Sequence, residues 1–454
     1  MLFEGYETFV GVLAALLAFG ALRVFAPDRP VLRQAGLLVI NALVLLTIIG
    51  EHTLIVLAVL SLLVYLAARP ARPARPADPA RPADPARPAD PARPARPADP
   101  ARPAQIPLPP RSLPPSSLSP PRPPRPPRPP SLPRPPSLPS PPGSSIVLAA
   151  IIALFALRSD AWLRGWVPAL EGPLLSVERV GLSYILFRMV HWLVENRKGQ
   201  IPVAHPITFL NYIFFFPTFL AGPIDTYPNF HHSAHHRPRR VEFAWVMYGA
   251  GRVVLGAAKT LLLVPLVRPW AMDVVVVEEA TGWGGGPAMA ASLLAYSAYI
   301  LFDFSGYSDI AIGVGRALGF RLPENFRTPY LATSLADFWR RWHISFSDFL
   351  RRYVFKPTLV RLNRWEALAA RRDVVTVGAY LWTFLLCGLW HGSALNFAVW
   401  GLWHGAGLAI GKFWRERWRP VWAHGRGYDF ASMLLTFSFV TAGWFWFHYP
   451  IRLS

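Results

Sequence analysis

Residues 287–312, PAMAASLLAYSAYILFDFSGYSDIAI, form a run that is long and apolar enough to cross a bilayer. The run nevertheless carries Asp303 and Asp309. An ionisable group at membrane depth costs roughly 2.5 to 3.5 kcal/mol to insert, so such groups mark functional sites by default. The stretch therefore predicts a membrane-spanning helix that borders a site with polar chemistry.

The rest of the chain has the composition of a polytopic membrane protein. Of its 454 residues, 53% are hydrophobic and 18 are tryptophan, and the apolar residues are gathered into long runs. The formal charge of +20 would suggest nucleic acid in a soluble chain. Much of the arginine lies in a low-complexity tract and in short loops, where it sets membrane topology, so we expect no nucleic-acid partner.

Apolar runs predict an all-α protein with about ten or eleven transmembrane helices. The runs lie at 9–25, 32–50, 54–66, 146–157, 177–194, 206–220, 245–267, 287–312, 374–389, 394–410 and 430–447. They divide the chain into N-terminal transmembrane helices (1–68), an insertion (69–142) and a main transmembrane block (143–454). The insertion repeats Ala-Arg-Pro and Pro-Pro-Arg, which predicts a disordered polyproline coil, read as a spacer or as an SH3-type ligand.

The segment 333–356, TSLADFWRRWHISFSDFLRRYVFK, has charges on one side of a helix and aromatic residues on the other. On a single helix its charged residues fall within an arc of about 120°. Asp337 with Arg341, and Asp348 with Arg352, have the spacing of i,i+4 ion pairs. Such a helix can be re-entrant and line a wet cavity, or it can simply lie at the membrane interface. The charges are Asp337, Arg340, Arg341, Asp348, Arg351 and Arg352.

Histidines recur in the apolar sequence that follows. His391 and Asn396 occur in CGLWHGSALN, and His404 in WGLWHG. One such histidine is typical of a packing residue, but three near a charged helix, counting His343, favour a catalytic role. A neutral buried imidazole can accept a proton from a hydroxyl group, as a general base must.

Two other patterns can each be interpreted either as a chemical site or as ordinary structure. Cys387 lies one helical turn before His391, which allows a Cys/His nucleophile, although a lone cysteine in an apolar helix is usually a small packing residue. The loop 231–240 holds four histidines without an accompanying Cys or carboxylate, which favours a basic loop over a metal site. We therefore expect no bound metal.

The sequence resembles the membrane-bound O-acyltransferase family in several ordered motifs. They are FLAGPID (219–225), FDFSGYSDIAIG (302–313), ENFRTPY (324–330), DFWRRWHISFSDFLRRYVF (337–355), and GLWHGSALNF followed by WGLWHG (388–405). The resemblance implies a multi-helix bundle with re-entrant central helices that form a funnel, and it makes 143–454 the catalytic core. It implies that His391 is the best catalytic candidate, that His343 supports it, and that His404 is a third retained histidine.

Within the family, GPID and GLSYILFRMVHWLVE (181–195) are most similar to the branch that transfers D-alanyl groups to teichoic acid. The RRWHIS and GLWHG blocks are equally similar to alginate and exopolysaccharide O-acetyltransferases. The resemblance implies an acyltransferase of the bacterial cell membrane with no bound cofactor. Its donor would be a thioester on an acyl-carrier protein or coenzyme A. Its acceptor would be an envelope glycopolymer, with a second extracytoplasmic transferase as a candidate partner.

On this hypothesis His391 deprotonates the acceptor while His343 polarises the thioester carbonyl. Asn396 or the Arg340/Arg341 pair would steady developing negative charge, and Asp337, Asp303 and Asp309 would line the substrate path. Two rivals remain open. Intramembrane Asp and Arg also mark transporters and flippases for anionic or lipid-linked substrates, and a noncatalytic scaffold would leave the histidines dispensable.

Overall fold

The computed structural model describes residues 29–67, 182–202, 205–235, 243–392, 394–418 and 425–451, together with residue 18. Within these ranges the chain is helical and has no β-strand, as the sequence predicts. The predicted runs 9–25, apart from residue 18, and 146–157 lie outside the described residues, as does the insertion 69–142. The predicted helices and the predicted coil in those segments therefore stay predictions.

Fifteen α-helices lie in the described ranges, and residues 68–181 separate the first from the second. They are α1 (Pro30–Ala67), α2 (Leu182–Arg197), α3 (Pro206–Ile213), α4 (Tyr227–His235), α5 (Phe243–Ala258), α6 (Val264–Met272), α7 (Val274–Thr281), α8 (Gly285–Ala317), α9 (Leu335–Arg341), α10 (Ile344–Leu350), α11 (Lys356–Leu362), α12 (Glu366–Ala369), α13 (Arg372–His391), α14 (Leu395–Phe413) and α15 (Arg426–His448). There are 3-10 turns at Phe216–Thr218 and Pro329–Leu331, and π-helical turns at Lys259–Leu263, Arg351–Phe355 and Trp414–Trp418.

Five helical stretches in the described ranges are long and apolar enough to cross a membrane. They correspond to the predicted runs 32–50, 245–267, 287–312, 374–389 and 430–447. The stretches are Pro30–Ile49, Phe243–Ala271, Gly285–Ala317, Arg372–His391 and Arg426–His448. The total of ten or eleven crossings and the funnel stay predictions.

The helical run α1 is not straight. A straight helix would separate Asn41 from Tyr65 by about 36 Å. Both side chains nevertheless contact α3: Asn41 Nδ2 donates to Asn211 Oδ1 at 3.0 Å, and the Tyr65 ring lies 5.4 Å from the Phe209 ring. Helix α1 therefore bends between these two contacts, and the division into separate crossings at 32–50 and 54–66 stays a prediction.

The predicted span 206–220 is wrong. Helix α3 ends at Ile213, and the chain continues through an aromatic segment into the turn Phe216–Thr218. Pro217 has no N–H to donate to the carbonyl oxygen of Ile213, four residues earlier, which explains why α3 does not continue. An eight-residue helix is too short to span a bilayer.

The prediction of one amphipathic helix over 333–356 is also wrong. Helix α9 ends at Arg341, α10 begins at Ile344, and His343 between them has left-handed backbone with φ 41°. The charges therefore do not share one continuous face.

One of the two predicted ion pairs in this segment forms. Arg341 Nε lies 2.8 Å from Asp337 Oδ2, as the spacing predicts. The predicted pair of Asp348 with Arg352 is wrong, because Asp348 pairs with Arg351 at 2.7 Å. The π-helical turn that begins at Arg351 changes the spacing of side chains along this part of the helix.

Helices α13 and α14 form an antiparallel pair that crosses at two glycines. A Cβ atom at Gly388 would lie 2.1 Å from the carbonyl oxygen of Phe397, and one at Gly401 would lie 2.1 Å from that of Phe384. Only glycine permits such close backbone contact. This crossing is one turn from His391 and fixes the end of α13 against the start of α14.

Candidate active site

Asn325, in the loop after α8, holds the turn between α9 and α10. Its carbonyl oxygen accepts a hydrogen bond from the Ile344 N–H at 3.0 Å, and its Oδ1 accepts from the Ser345 Oγ–H at 2.7 Å and N–H at 3.3 Å. Its Nδ2 donates to Ser308 Oγ on α8 at 3.3 Å. A non-glycine residue with left-handed backbone costs on the order of 1 to 3 kcal/mol, so these bonds keep His343 in an otherwise unfavourable conformation.

His343 is buried among aromatic rings. Its imidazole lies 4.6 Å from the Phe304 ring and 4.9 Å from the Phe346 ring, between centroids. Burial, together with the nearby imidazole of His391, lowers the pKa of His343 to about 3. The ring is therefore neutral at physiological pH. Its Nε2 has no hydrogen-bond partner among the described residues, which leaves this nitrogen for a ligand.

His391 is the last residue of α13 and lies between aromatic side chains. Its ring centroid is 4.4 Å from Trp390, 5.2 Å from Trp400 and 4.9 Å from Phe447. The residue is nevertheless classed as exposed, so a ligand can approach it from the surface of the described bundle. The rings of Trp390 and Phe346 are 4.6 Å apart, and they connect His391 to the aromatic surroundings of His343.

His404 lies in the middle of α14 and is buried, with 1% of its surface exposed. Its ring contacts Trp400 at 4.9 Å and Trp339 at 5.1 Å. Neither imidazole nitrogen has a hydrogen-bond partner among the described residues. Trp400 contacts both His391 and His404, and the supporting role of His404 stays a prediction.

Asn396 belongs to the first turn of α14, at the same end of the hairpin as His391. Its Nδ2 donates to the carbonyl oxygen of Phe447 at 3.4 Å, and the Phe447 ring is one of those around His391. The Oδ1 of Asn396 is buried and has no partner in the described ranges. The predicted location of Asn396 near His391 is therefore observed, and its role stays a prediction.

Asp337, Arg340 and Arg341 line a groove of about 800 Å³ between α9–α10 and α13–α14. Asp337 pairs with Arg340 at 3.2 Å and with Arg341 at 2.8 Å. Trp339 and Phe384 line the same groove, and both rings contact His404. The charged residues thus share a groove with two of the aromatic rings that contact His404.

The two aspartates of α8 have different surroundings. Asp309 is buried between Arg252 and Lys259, each 2.6 Å from a carboxylate oxygen, and Arg252 also pairs with Glu324 at 2.8 Å. Asp303 is half-buried and forms no hydrogen bond or ion pair in the described structure. No hydrogen bond or ion pair joins either carboxylate to the three described histidines of the site. The two ion pairs of Asp309 connect α8 to the helical segment 243–263. The substrate-lining role stays a prediction for Asp303 and for Asp309.

Arg188 on α2 was not singled out from the sequence. With 1% of its surface exposed, it donates to the carbonyl oxygens of Tyr212, Ile213 and Thr218, and to Thr218 Oγ1. These bonds cap the end of α3 and fix the segment that leads into FLAGPID. The Ile224 N–H of that motif in turn donates to Ser345 Oγ at 2.9 Å.

His191 and Glu195, also on α2, were missed as well. The Tyr227 N–H donates to His191 Nε2 at 3.0 Å, so the neutral ring carries its proton on Nδ1, which donates to Tyr353 Oη at 2.6 Å. Tyr353 Oη donates to Glu195 Oε1 at 2.9 Å. An Arg, a His and a Glu within the apolar motif 181–195 were the signal that could have identified these residues.

Asp225 ends FLAGPID and lines a cavity of about 370 Å³ together with His191 and Ser345. Its Oδ1 accepts from the Thr226 N–H at 2.8 Å and from Asn229 Nδ2 at 2.7 Å. Burial raises the pKa of Asp225 from its usual 3.8 to about 7, although these hydrogen bonds oppose the rise. A second cavity thus borders the turn at His343, because Ile344 and Ser345 line it.

The alternative sites suggested by the sequence can also be located. Cys387 is buried, with 1% exposed, one turn before the exposed His391. His231 and His235 stack with centroids 4.0 Å apart, while the fourth histidine of that loop, residue 236, lies outside the described residues. Among the residues that are described, no group of three or more His, Cys, Asp or Glu could hold a metal ion.

Comparison with known proteins places the chain in a family. The model of MBOAT, the membrane-bound O-acyltransferase family, matches residues 152–429. This range includes every motif that carried the resemblance and all three histidines of the site.

Three curated relatives illustrate the range of named activities. The probable alginate O-acetylase AlgI of Pseudomonas aeruginosa is 34% identical over 270 residues, which cover 58% of this chain and 48% of AlgI. The teichoic acid D-alanyltransferase of Bacillus subtilis is 29% identical over 310 residues, 66% of this chain and 76% of that protein. The peptidoglycan O-acetyltransferase of Helicobacter pylori is 31% identical over 259 residues, 56% of this chain and 46% of that protein. The match thus spans about half the length of the two O-acetyl-transferring relatives.

Proposed function

This chain belongs to the membrane-bound O-acyltransferase family, and on that premise we propose that it is an O-acyltransferase of the cell envelope. The acyl group, acetyl or D-alanyl, moves from a thioester donor to a hydroxyl of a glycopolymer such as an exopolysaccharide or teichoic acid. The observation that carries the proposal is the exposed residue His391 beside the buried imidazole of His343. Relatives named for O-acetyl and D-alanyl transfer support it.

In the proposed reaction His391 acts as the general base. One imidazole nitrogen accepts the proton of the acceptor hydroxyl as its oxygen attacks the thioester carbonyl carbon. The C–O bond forms, the C–S bond breaks, and the departing thiolate takes the proton from the His391 imidazolium. The rings of Trp400 and Phe447 pack against the His391 ring and hold it in position for this proton transfer.

His343 is proposed to hold the donor. Its neutral ring has an unpartnered Nε2, which in the Nε2–H tautomer donates to the thioester carbonyl oxygen and stabilises the charge that develops there. Asn396 is a second candidate for this stabilisation because its side chain lies at the same end of the hairpin as His391. Arg340 and Arg341 line the adjacent groove, where they would attract an anionic substrate.

The proposal also names co-substrates, partners and a membrane. The donor is an acyl-carrier protein or acyl-coenzyme A, no further cofactor is bound, and a second extracytoplasmic transferase is a candidate partner. The multi-pass chain would lie in the bacterial inner membrane, where the donor reaches it from the cytoplasm and the acceptor from outside.

The test is the ester-linked acyl content of the envelope polysaccharides. Cells that lack the protein are compared with the same cells complemented by the full chain, and mild alkali releases the acid for identification. We expect complementation to restore the esters, with acetate or D-alanine naming the acyl group. Unchanged ester content would contradict the proposal. If polymer export changes while its acylation does not, the transporter alternative is favoured.

A further inference from the structure

A second groove, of about 840 Å³, lies apart from the histidines and is strongly basic. We refer to it as the basic groove. It lies between the end of α2 and α11, and its charged lining consists of Lys198, Arg352, Lys356, Arg361, Arg364 and Glu195. The formal excess is therefore four positive charges. Such a concentration raises the local concentration of anions.

Glu195, the only carboxylate in the lining of the basic groove, already has two hydrogen-bond partners. Glu195 Oε1 accepts hydrogen bonds from Lys198 Nζ at 3.1 Å and from Tyr353 Oη at 2.9 Å. In contrast, Lys356, Arg361 and Arg364 are exposed and form no ion pair with any residue that the structure describes. Arg361 in the last turn of α11 also offsets the helix dipole, but this accounts for only one of the charges. Three cations thus remain available to an external anion.

The position of the basic groove indicates which kind of anion it binds. It lies just before the start of α13 at Arg372, and α13 is long and apolar enough to span the membrane. Lys412 at the end of α14 pairs with Asp373 at 2.6 Å, so the arginines at 415 and 417 share this side of the bundle. A basic end of a helix bundle faces the cytoplasm under the positive-inside rule, where the leaflet is rich in anionic lipid.

Two apolar side chains line the basic groove as well. Val360 is 56% exposed and Trp365 is 61% exposed, and both belong to its lining. A tryptophan at a membrane interface typically packs on lipid at the headgroup level. A soluble anion would gain little from these contacts, whereas a phospholipid presents a phosphate and an apolar body side by side.

We propose that the basic groove is a binding site for an anionic phospholipid, with the phosphate among Lys356, Arg361 and Arg364 and the glycerol backbone against Val360 and Trp365. The inference does not rest on acyl transfer. It concerns another surface of the chain and is tested by binding alone.

The test is lipid binding by the full chain, purified in neutral detergent and freed of lipid. Native mass spectrometry measures retention of phosphatidylglycerol and of phosphatidylcholine by the wild type and by an Arg361→Gln/Arg364→Gln variant. An Arg371→Gln/Arg372→Gln variant is the matched control, because it removes the same charge from exposed positions on the same side. We expect the groove variant to lose about thirtyfold in phosphatidylglycerol affinity and the control to lose little.

A second variant and a soluble probe separate the remaining possibilities. Trp365→Ser should weaken phosphatidylglycerol binding while the charges stay in place, and thermal midpoints check that each variant is folded. Equal losses in the groove variant and the control would overturn the proposal in favour of general surface charge. Displacement of the lipid by equimolar glycerol 3-phosphate would overturn it in favour of a soluble phosphate ester.

Discussion

At the scale of single residues, Asn325 determines the backbone of His343. An Asn325→Ala variant leaves the Ser345 N–H and Oγ, both buried, without their acceptor. Each buried unsatisfied group costs about 1 to 3 kcal/mol, so we expect the free energy of unfolding to fall by about 2 to 4 kcal/mol. Acyl transfer should fall with it, because His343 is no longer held. Thermal midpoints in detergent and ester content measure the two effects.

Asn363→Ala is the control for this prediction. The Asn363 side chain is exposed, and its Nδ2 donates to the carbonyl oxygen of Leu359 on the surface of α11. Its loss should change the unfolding free energy by less than about 0.5 kcal/mol. Equal effects of the two substitutions would show that Asn325 has no special role.

Asp225 gives a prediction about pH. Because burial raises its pKa from 3.8 to about 7, the folded protein keeps a proton that the unfolded chain releases above about pH 4. Asp225 therefore costs stability progressively as pH rises from about 4 to about 7. Asp225→Asn removes this titration and keeps an acceptor for the Thr226 N–H. We expect the thermal midpoint of the variant to fall less than that of the wild type between pH 5 and 7, as read by scanning fluorimetry. Parallel curves would contradict the assignment.

The sequence singled out the candidate catalytic histidines, but not the residues whose hydrogen bonds hold the site in place. His343, His391 and His404 were found because histidine is unusual in apolar helices and because the motifs resemble a known family. Asn325, Ser345 and Arg188 act through hydrogen bonds to segments far away in the chain. No local pattern encodes such a partner, so these roles required the fold.

At the scale of elements, the crossing of α13 and α14 is the feature that locates His391. Gly388→Ala places a Cβ atom where the carbonyl oxygen of Phe397 would be 2.1 Å away, so the helices must separate. Such overpacking typically costs about 1 to 3 kcal/mol, and we expect acyl transfer to fall as His391 moves relative to His343. Ester content at matched expression is the measurement.

Gly411→Ala is the matched control, because it lies on α14 with no atom within 4 Å of the added Cβ. Alanine favours helix over glycine, so this variant should be neutral or slightly stabilised. If both glycine variants keep full activity, the close crossing does not matter for function.

Element boundaries were predicted where hydrophobicity alone decides them. The runs 287–312 and 374–389 match α8 and α13 to within a few residues. The break at His343 was missed because its cause, the hydrogen bond from Ile344 to Asn325, is tertiary. In the run 206–220, Pro217 was a local signal for the early end of α3, and uniform apolar composition masked it.

At the scale of the whole molecule, the bundle has two chemically different ends. Along α13, His391 lies about 28 Å from Arg372, and Phe447 near the end of α15 contacts His391. The end with Arg371 and Arg372 is basic, so it should be cytoplasmic. The general base would then lie toward the outer side, where a polymer acceptor can reach it.

Cysteine labelling tests this orientation, because Cys387 is the only cysteine of the chain. In a Cys387→Ala background, Pro450→Cys should react with a membrane-impermeant maleimide in intact cells. Arg371→Cys should react only after permeabilisation. The opposite pattern would invert the topology and with it the assignment of donor and acceptor sides.

Composition was enough to predict an all-α membrane protein. The total number of crossings stays a prediction, because the runs 9–25 and 146–157 fall almost wholly outside the described residues. The cavities also could not be predicted, since each is lined by helices far apart in sequence. The groove at Arg340, for example, includes Tyr380 and Leu408.

The general-base role proposed for His391 is tested most directly by the ester-linked acyl content of the envelope in cells that express only His391→Ala. Wild type and His235→Ala, which changes an exposed histidine outside the site, serve as controls at equal protein level. Loss of a general base lowers rates by about 10² to 10⁴, so we predict esters at the level of the deletion with His391→Ala and at the wild-type level with His235→Ala. Full ester content with His391→Ala would contradict the account and assign His391 to packing.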